Sequence, residues 1–310
     1  MKAPTLPLLC LGVLLNHACG LDFFVSQSGS DSNDGSSDRP FLTLTRAQEA
    51  VRKQVATSMT ADINVRVAAG IYALKAPLLF NAGDSGKNGF KVNWIGTDAT
   101  ISGGLKLTNW TSGSNGIYSA SVPTGIKSRN LYVGGKAANY ARRKINRKDF
   151  RFDSNGMSWT NTANDWLQTT SGVADGEVRF ISSFTDRIAP IQTVANRRIS
   201  MKRPSWDNQL IGYDTISSPN ADFGVWVQNV LSLLSNAGEF YLDSPAGKVY
   251  YKPFSGENMD TIDTYLGVQE TMLVISGTYD SPVHDISFQN LNFVSTFFLP
   301  FWPFPLVTSN

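Results

Sequence analysis

FFVSQSGSDSNDGSSDRPFLTLTRAQEAVR, residues 23–52, is the stretch on which the reading of the fold turns. Phe23, Phe24 and Val25 suit a short strand. Ser, Asp, Asn and Gly follow, the residues of turns. Beyond Pro40 the pattern becomes helical. Thr45 marks the predicted helix start, and Gln48 stands where a capping box needs it. Ala47, Ala50, Val51 and Val55 recur at helical spacing, so one stripe of that helix seeks a surface to cover. A strand, a polar loop and a lid helix ahead of short β segments is the way a β-solenoid opens. Its first coil would otherwise expose apolar side chains and unpaired backbone groups.

Outward from that stretch, residues 63–133 read as short β runs punctuated by glycine: NVRVAAGIYAL, FKVNWIG, ATISGGLKL and NLYVGG. No strict short-period repeat accompanies them. From Arg142 to Asp263 the text turns rich in Trp, Asn, Asp and Ser. It contains one clear hairpin, Phe240–Leu242 and Val249–Tyr251 about the turn residues Ser244-Pro245-Ala246-Gly247. Strand text resumes at Thr271, with Ile286, Phe288, Leu291 and Phe293 as two pairs bent at Asn290. The end, FFLPFWPFPLV (297–307), carries three prolines and is too short and too broken for a membrane helix. The predicted divisions are a leader (1–20), a cap with first coils (21–141), an inserted antiparallel β subdomain (142–263), resumed coils (264–296) and an atypical apolar tail (297–310).

Four further stretches, in this order, carry a resemblance: GDSGKNG (83–89) with ISGG (101–104), RNLYVGGKAANYARR (129–143), SWDNQLIGYD (205–214) and GEFYLDSPAGKVYYKPFSGENM (238–259). With the opening stretch they resemble the secreted right-handed parallel β-helix proteins of the pectate-lyase-like superfamily. Within it they look like the glycoside-hydrolase branch related to β-helix fucosidases and xylanases. The resemblance spans Phe23 to Phe293 and implies an all-β chain. Its expected architecture is a partial right-handed parallel β-helix with an N-terminal cap helix and an inserted antiparallel β subdomain. It implies a secreted, carbohydrate-active protein of glycoside-hydrolase type acting on cell-wall polysaccharide. In such hydrolases the catalytic carboxylates project from later coils that no position here matches. A solenoid cap presents a polar outer face and this apolar tail does not, so a truncated or misread gene product is expected. Two alternatives stand beside it: a calcium-dependent, pectate-type polysaccharide lyase using Arg or Lys as base, and a non-catalytic glycan-binding secreted protein.

The first twenty residues support export. Lys2 opens them, Leu6–Leu15 is apolar, and Ala18-Cys19-Gly20 supplies small residues for cleavage before Leu21. Both cysteines, Cys10 and Cys19, lie inside this leader, so the mature chain has no disulfide, thiolate nucleophile or cysteine zinc site. His284 is the one histidine beyond the leader, which excludes a His-rich metal site. No cofactor is expected, with calcium entering only under the lyase alternative. The 27 basic and 25 acidic residues leave a net charge of +2, unlike a dedicated nucleic-acid binder. Asn109-Trp110-Thr111 is a glycosylation sequon.

A glycosidase needs two carboxyl groups roughly 5–10 Å apart. Glu239 and Asp243 share one strand face but stand about 13 Å apart at strand rise, too far for the purpose. Asp207 and Asp214 are the remaining candidates, because loop geometry is able to bring them together. Trp159, Trp166 and Trp206 are candidates for stacking on sugar rings, but buried packing is the better reading. Six basic residues lie between Arg142 and Arg151; Arg142 and Arg143 are candidates for pairing uronate carboxylates. The plainer reading of this run is a charged strand edge that deters aggregation. Asp31-Ser32-Asn33-Asp34-Gly35 hints at calcium, but Leu42 stands where an EF-hand loop needs Glu, and a polar turn is the better reading.

Overall fold

The computed structural model describes residues 20–217 and 224–297. All but Gly20 of the expected leader, and all but Phe297 of the apolar tail, lie outside the described residues. The strands in chain order are β1 (Leu21–Val25), β2 (Ile63–Val67), β3 (Gly70–Ala73), β4 (Leu78–Phe80), β5 (Val92–Ser102), β6 (Gly104–Leu107), β7 (Thr111–Ser112), β8 (Tyr118–Ser121), β9 (Leu131–Val133), β10 (Lys136–Ala137), β11 (Asn139–Tyr140) and β12 (Arg142–Ile145). They continue as β13 (Phe150–Asp153), β14 (Gly156–Trp159), β15 (Glu177–Ile181), β16 (Asp186–Ala195), β17 (Arg198–Met201), β18 (Gly224–Gln228), β19 (Glu239–Asp243), β20 (Lys248–Lys252), β21 (Thr264–Gly267), β22 (Leu273–Ile275) and β23 (Ile286–Val294). The α-helices are α1 (Leu44–Thr57), α2 (Trp166–Thr169) and α3 (Ser205–Leu210).

Two compact units emerge. The described residues up to Tyr72, with Leu78–Ile101 and Leu273–Asn292, make the first; Ala73–Pro77, Ser102–Met272 and the residues from Phe293 make the second. The first unit holds α1. The helix starts two residues before the position read from the sequence, because Thr43 caps it by accepting from Arg46 N at 3.1 Å. Asp31, from the polar run, sets that cap. Its carboxylate accepts from Leu42 N, Thr43 N and the Thr43 hydroxyl at 3.0, 2.9 and 2.9 Å. Gln48 closes no capping box; it is buried and donates to Leu79 O at 2.9 Å. Of the stripe read from the sequence, Ala47, Val51 and Val55 are buried and Ala50 half-buried, and Leu44 joins the buried side.

The expected parallel β-helix is not what the chain forms. The strands make several separate sheets: a five-stranded one (β1-β2-β5-β23, with β3 on β5), a two-stranded one (β22-β4), and sheets of four (β10-β9-β21-β6), five (β11-β19-β20-β8-β7) and seven strands (β12-β18-β15-β16-β17-β14-β13). Parallel pairing is found for β1 with β2, β2 with β5, β4 with β22 and the short β11 with β19. Every pair printed for the seven-stranded and four-stranded sheets is antiparallel. The reason is local. Parallel partners need a crossover of a dozen or more residues, whereas within the stretch expected as first coils only Gly134 and Gly135 separate β9 from its antiparallel partner β10. Both take positive φ, 53° and 77°, as a two-residue hairpin turn requires. The hairpin read at 240–251 is present as β19 and β20, paired from Glu239–Lys252 to Asp243–Lys248.

In the second unit, alternation along the seven-stranded sheet puts Val178 and Phe180 of β15, and Val225 and Val227 of β18, into a core with Met157, Leu167, Ile199 and Trp206. A further cluster gathers Leu131, Phe240, Val249, Tyr251 and Leu266 with Trp110, whose indole donates to the Thr264 hydroxyl at 3.0 Å. Burying such rings removes large apolar areas from water, at roughly 25 cal/mol per Å².

Candidate functional site

The same alternation that fills the core points Arg142 and Lys144 of β12, Gly224, Trp226 and Gln228 of β18, and Glu177 and Arg179 of β15 to the opposite face. Register arranges them in rows. Arg142 pairs with Gln228, and Gln228 with Glu177; Lys144 pairs with Trp226, and Trp226 with Arg179. The two rows are about 7 Å apart along the strands.

The first row is largely closed off. Glu177 is 7 % exposed and Gln228 1 %. The Glu177 carboxylate accepts from Arg129 Nη1 at 2.9 Å, from Arg129 Nη2, and from Gln228 Nε2 at 2.6 Å. The Arg129 guanidinium lies over the Tyr140 ring, 5.3 Å from its centroid. Burial opposes the charge on Arg129, but the hydrogen bonds and attraction of Glu177 outweigh it and hold the group above its ordinary value. Burial pushes the Tyr140 phenol well above the usual range, and its hydroxyl donates to Ser128 O at 3.0 Å. This row is a rigid foundation rather than a reacting group.

The second row is open to solvent. Trp226 is half-buried, with Arg142 Cζ and Lys144 Nζ over its ring at 5.5 and 5.6 Å from the centroid. Arg179 forks Asp186 at 2.9 and 2.6 Å, and that carboxylate holds it above its ordinary value. Gly224 makes room for the indole: a Cβ there would sit 2.2 Å from Trp226 Cη2. Its φ of 151° is likewise one that side-chain-bearing residues rarely adopt. Beside this row lies a cleft of about 480 Å³ lined by Lys144, Ile145, Asn146, Arg147, Lys148, Gly224 and Val225. Arg147 donates through Nη1 to Ile216 O at 3.1 Å, while its buried Nε meets no partner among the described residues.

The other candidates are scattered. Asp207, on α3, is bound to Arg203 Nη1 at 2.5 Å. Asp214 accepts from Phe184 N at 3.2 Å and its carbonyl from the Thr185 hydroxyl at 3.1 Å, so it ties two loops together. No partner is common to the two carboxylates. Trp206 is fully buried and donates to Asp153 O at 2.8 Å; Trp159 is 3 % exposed and donates to Asp165 Oδ1 at 3.0 Å. Neither ring has a free face for a sugar. Trp166 is half-buried, with Arg143 Cζ 4.3 Å from its centroid. Glu239 is buried and accepts from Asn236 N at 3.1 Å; Asp243 accepts from Ala246 N in its turn at 3.0 Å. His284 contacts Asp285 through Nδ1 at 2.9 Å. Asn109 is exposed at φ 57°.

Three aromatic residues escaped the sequence reading. Trp226 carried a signal in GVWVQ, where a bulky ring sits on the polar phase of an alternating strand. Phe184 and Tyr213, 79 % and 76 % exposed with ring centroids 6.0 Å apart, carried less.

The fold and face define a multi-sheet, mainly antiparallel β protein with a cation-flanked aromatic surface. A solved chain described as "Glycoside hydrolase" shares this fold, with a TM-score of 0.76 and 24% sequence identity over 90% of this chain. The present chain covers 51% of that protein, about half its length. Two other solved chains are matched weakly. "The complex structure of XylC with xylose" has a TM-score of 0.39 and 12% identity over 89% of this chain and 35% of that one. "Rhamnogalacturonan lyase" has a TM-score of 0.21 and 25% identity over 27% of this chain and 22% of that one. These two carry no argument. No protein-family profile and no curated protein sequence matches the chain.

Proposed function

We propose that the protein is carbohydrate-active, of glycoside-hydrolase type, and works outside the cell on a polysaccharide. The observation that carries this reading is the fold shared, over nine-tenths of this chain, with the protein described as a glycoside hydrolase. The half-buried indole beside Arg142 and Lys144 supports it, since sugars present apolar C–H faces to aromatic rings and polar rims to charged side chains. The leader-like residues 1–20 support export, and the exposed Asn109 is a suitable acceptor for a glycan on an exported chain.

Hydrolysis needs one carboxyl group to protonate the leaving oxygen and another to attack or to activate water. Asp207 is held by Arg203 and Asp214 by a loop amide, so neither is free for those roles as it stands. That observation favours a second reading, glycan binding without turnover by the residues present here.

The test incubates the full chain with a panel of cell-wall polysaccharides and measures new reducing ends. Their release, unchanged by Asp207→Asn and Asp214→Asn, is expected of a hydrolase whose carboxylates lie elsewhere. Binding without release establishes the second reading. An unsaturated, ultraviolet-absorbing product formed only with calcium would replace both by an eliminating enzyme.

A further inference from the structure

The run Arg142–Arg151 has a plain explanation at its start: β12 is an edge strand, and charge on an edge deters pairing with another chain. That explanation covers β12 and stops there. It does not account for an indole on the solvent-facing phase of β18, an inner strand. Nor does it account for a glycine at φ 151° whose missing Cβ leaves the space this indole occupies. It also leaves unexplained why two cations from β12 lean over the ring and not toward carboxylates. Among the described residues, Arg142 and Lys144 have no acidic partner, whereas Arg129 and Arg179 on the same face are each forked to one.

We propose that this face, centred on Trp226, is a binding site for an acidic oligosaccharide of uronate sugars. One sugar ring lies on the indole while the carboxylates of the chain pair with Arg142 and Lys144. This deepens the carbohydrate reading above and rests on it. A planar guanidinium matches a carboxylate through two parallel hydrogen bonds, and an ammonium supplies a movable point charge. Both groups now sit over the ring face, and a carboxylate draws them aside, exchanging a cation–π contact for a charge-assisted hydrogen bond. The cleft beyond Lys144, lined by Asn146 and Arg147 as well, continues the polar track for the next sugar. The buried Arg129–Glu177–Gln228 row keeps the platform rigid, so little ordering cost falls on binding.

Calorimetric titration of the full chain with oligogalacturonate hexamer, its methyl ester and a neutral hexasaccharide tests the proposal. The acid is expected to bind, the ester about tenfold or more weakly, and the acid's affinity to fall as salt rises. Arg142→Gln with Lys144→Gln lowers affinity for the acid by about tenfold and leaves the far-ultraviolet circular dichroism unchanged. Trp226→Phe keeps part of the affinity and serves if Trp226→Ala does not fold. Equal binding of acid and ester, or wild-type affinity in the double variant, overturns the proposal. If the acid fails to bind while the neutral sugar is bound or cleaved, this inference falls and the carbohydrate function stands. If none of the three is bound or cleaved, both fall.

Discussion

A single missing carbon at Gly224 shapes the candidate face. Gly224→Ala would place a methyl group 2.2 Å from Trp226 Cη2 and demand a backbone angle that alanine resists. The indole must move, at a cost of about 1–3 kcal/mol, and a changed tryptophan fluorescence maximum with a lower urea midpoint is the expected outcome. Arg129 and Glu177 show the converse dependence, a buried pair in which each needs the other. Arg129→Ala leaves Glu177 uncompensated and is expected to lose about 3–5 kcal/mol in denaturant titration, while Arg129→Met with Glu177→Leu recovers much of it. Tyr140 beside them gives a pH signature. Its folded value is raised by burial, so its contribution is complete below the unfolded value of about 10 and disappears as pH climbs through the folded one. Stability measured by circular dichroism should therefore fall above pH 10, and Tyr140→Phe should flatten that fall. The contacts of Glu239 and Asp243 are local, each within its own turn, and so lie at the range that sequence spacing reaches. Packing was the better reading for Trp159 and Trp206, and both rings are buried; which side chains they pack against is set by residues far off in the chain.

Elements were read best where their causes are local. The stripe of α1 and the β19–β20 hairpin follow from spacing and turn chemistry within a few residues. The start of α1 was misplaced by two positions because its cap is assembled at a distance, from Asp31. Asp31→Ala strips acceptors from two backbone amides and from the capping hydroxyl, and Thr43→Ala removes the cap itself. Each is expected to lower stability by about 1–2 kcal/mol, read as a shift in the urea midpoint. The mistaken expectation of a parallel β-helix arose at this same scale. Short apolar runs between glycines suit solenoid coils and hairpin strands equally, and turns such as Gly134-Gly135 decide for the hairpin by bringing the chain straight back.

At the scale of the whole molecule, a mainly β chain with few helices and the hairpin turn at 244–247 could be taken from order along the chain. Composition, alternation and capping are properties of neighbours in sequence, and neighbours alone were enough to read them. Which strands meet is a matter of residues far apart in the chain. Lys144, Arg179 and Trp226 share one row only because β12, β15 and β18 align side by side. Asp207 and Asp214, seven positions apart in one motif, take different hydrogen-bond partners, Arg203 and the Phe184 amide. Tertiary packing therefore chose the face, and the sequence supplied the residues it could choose from.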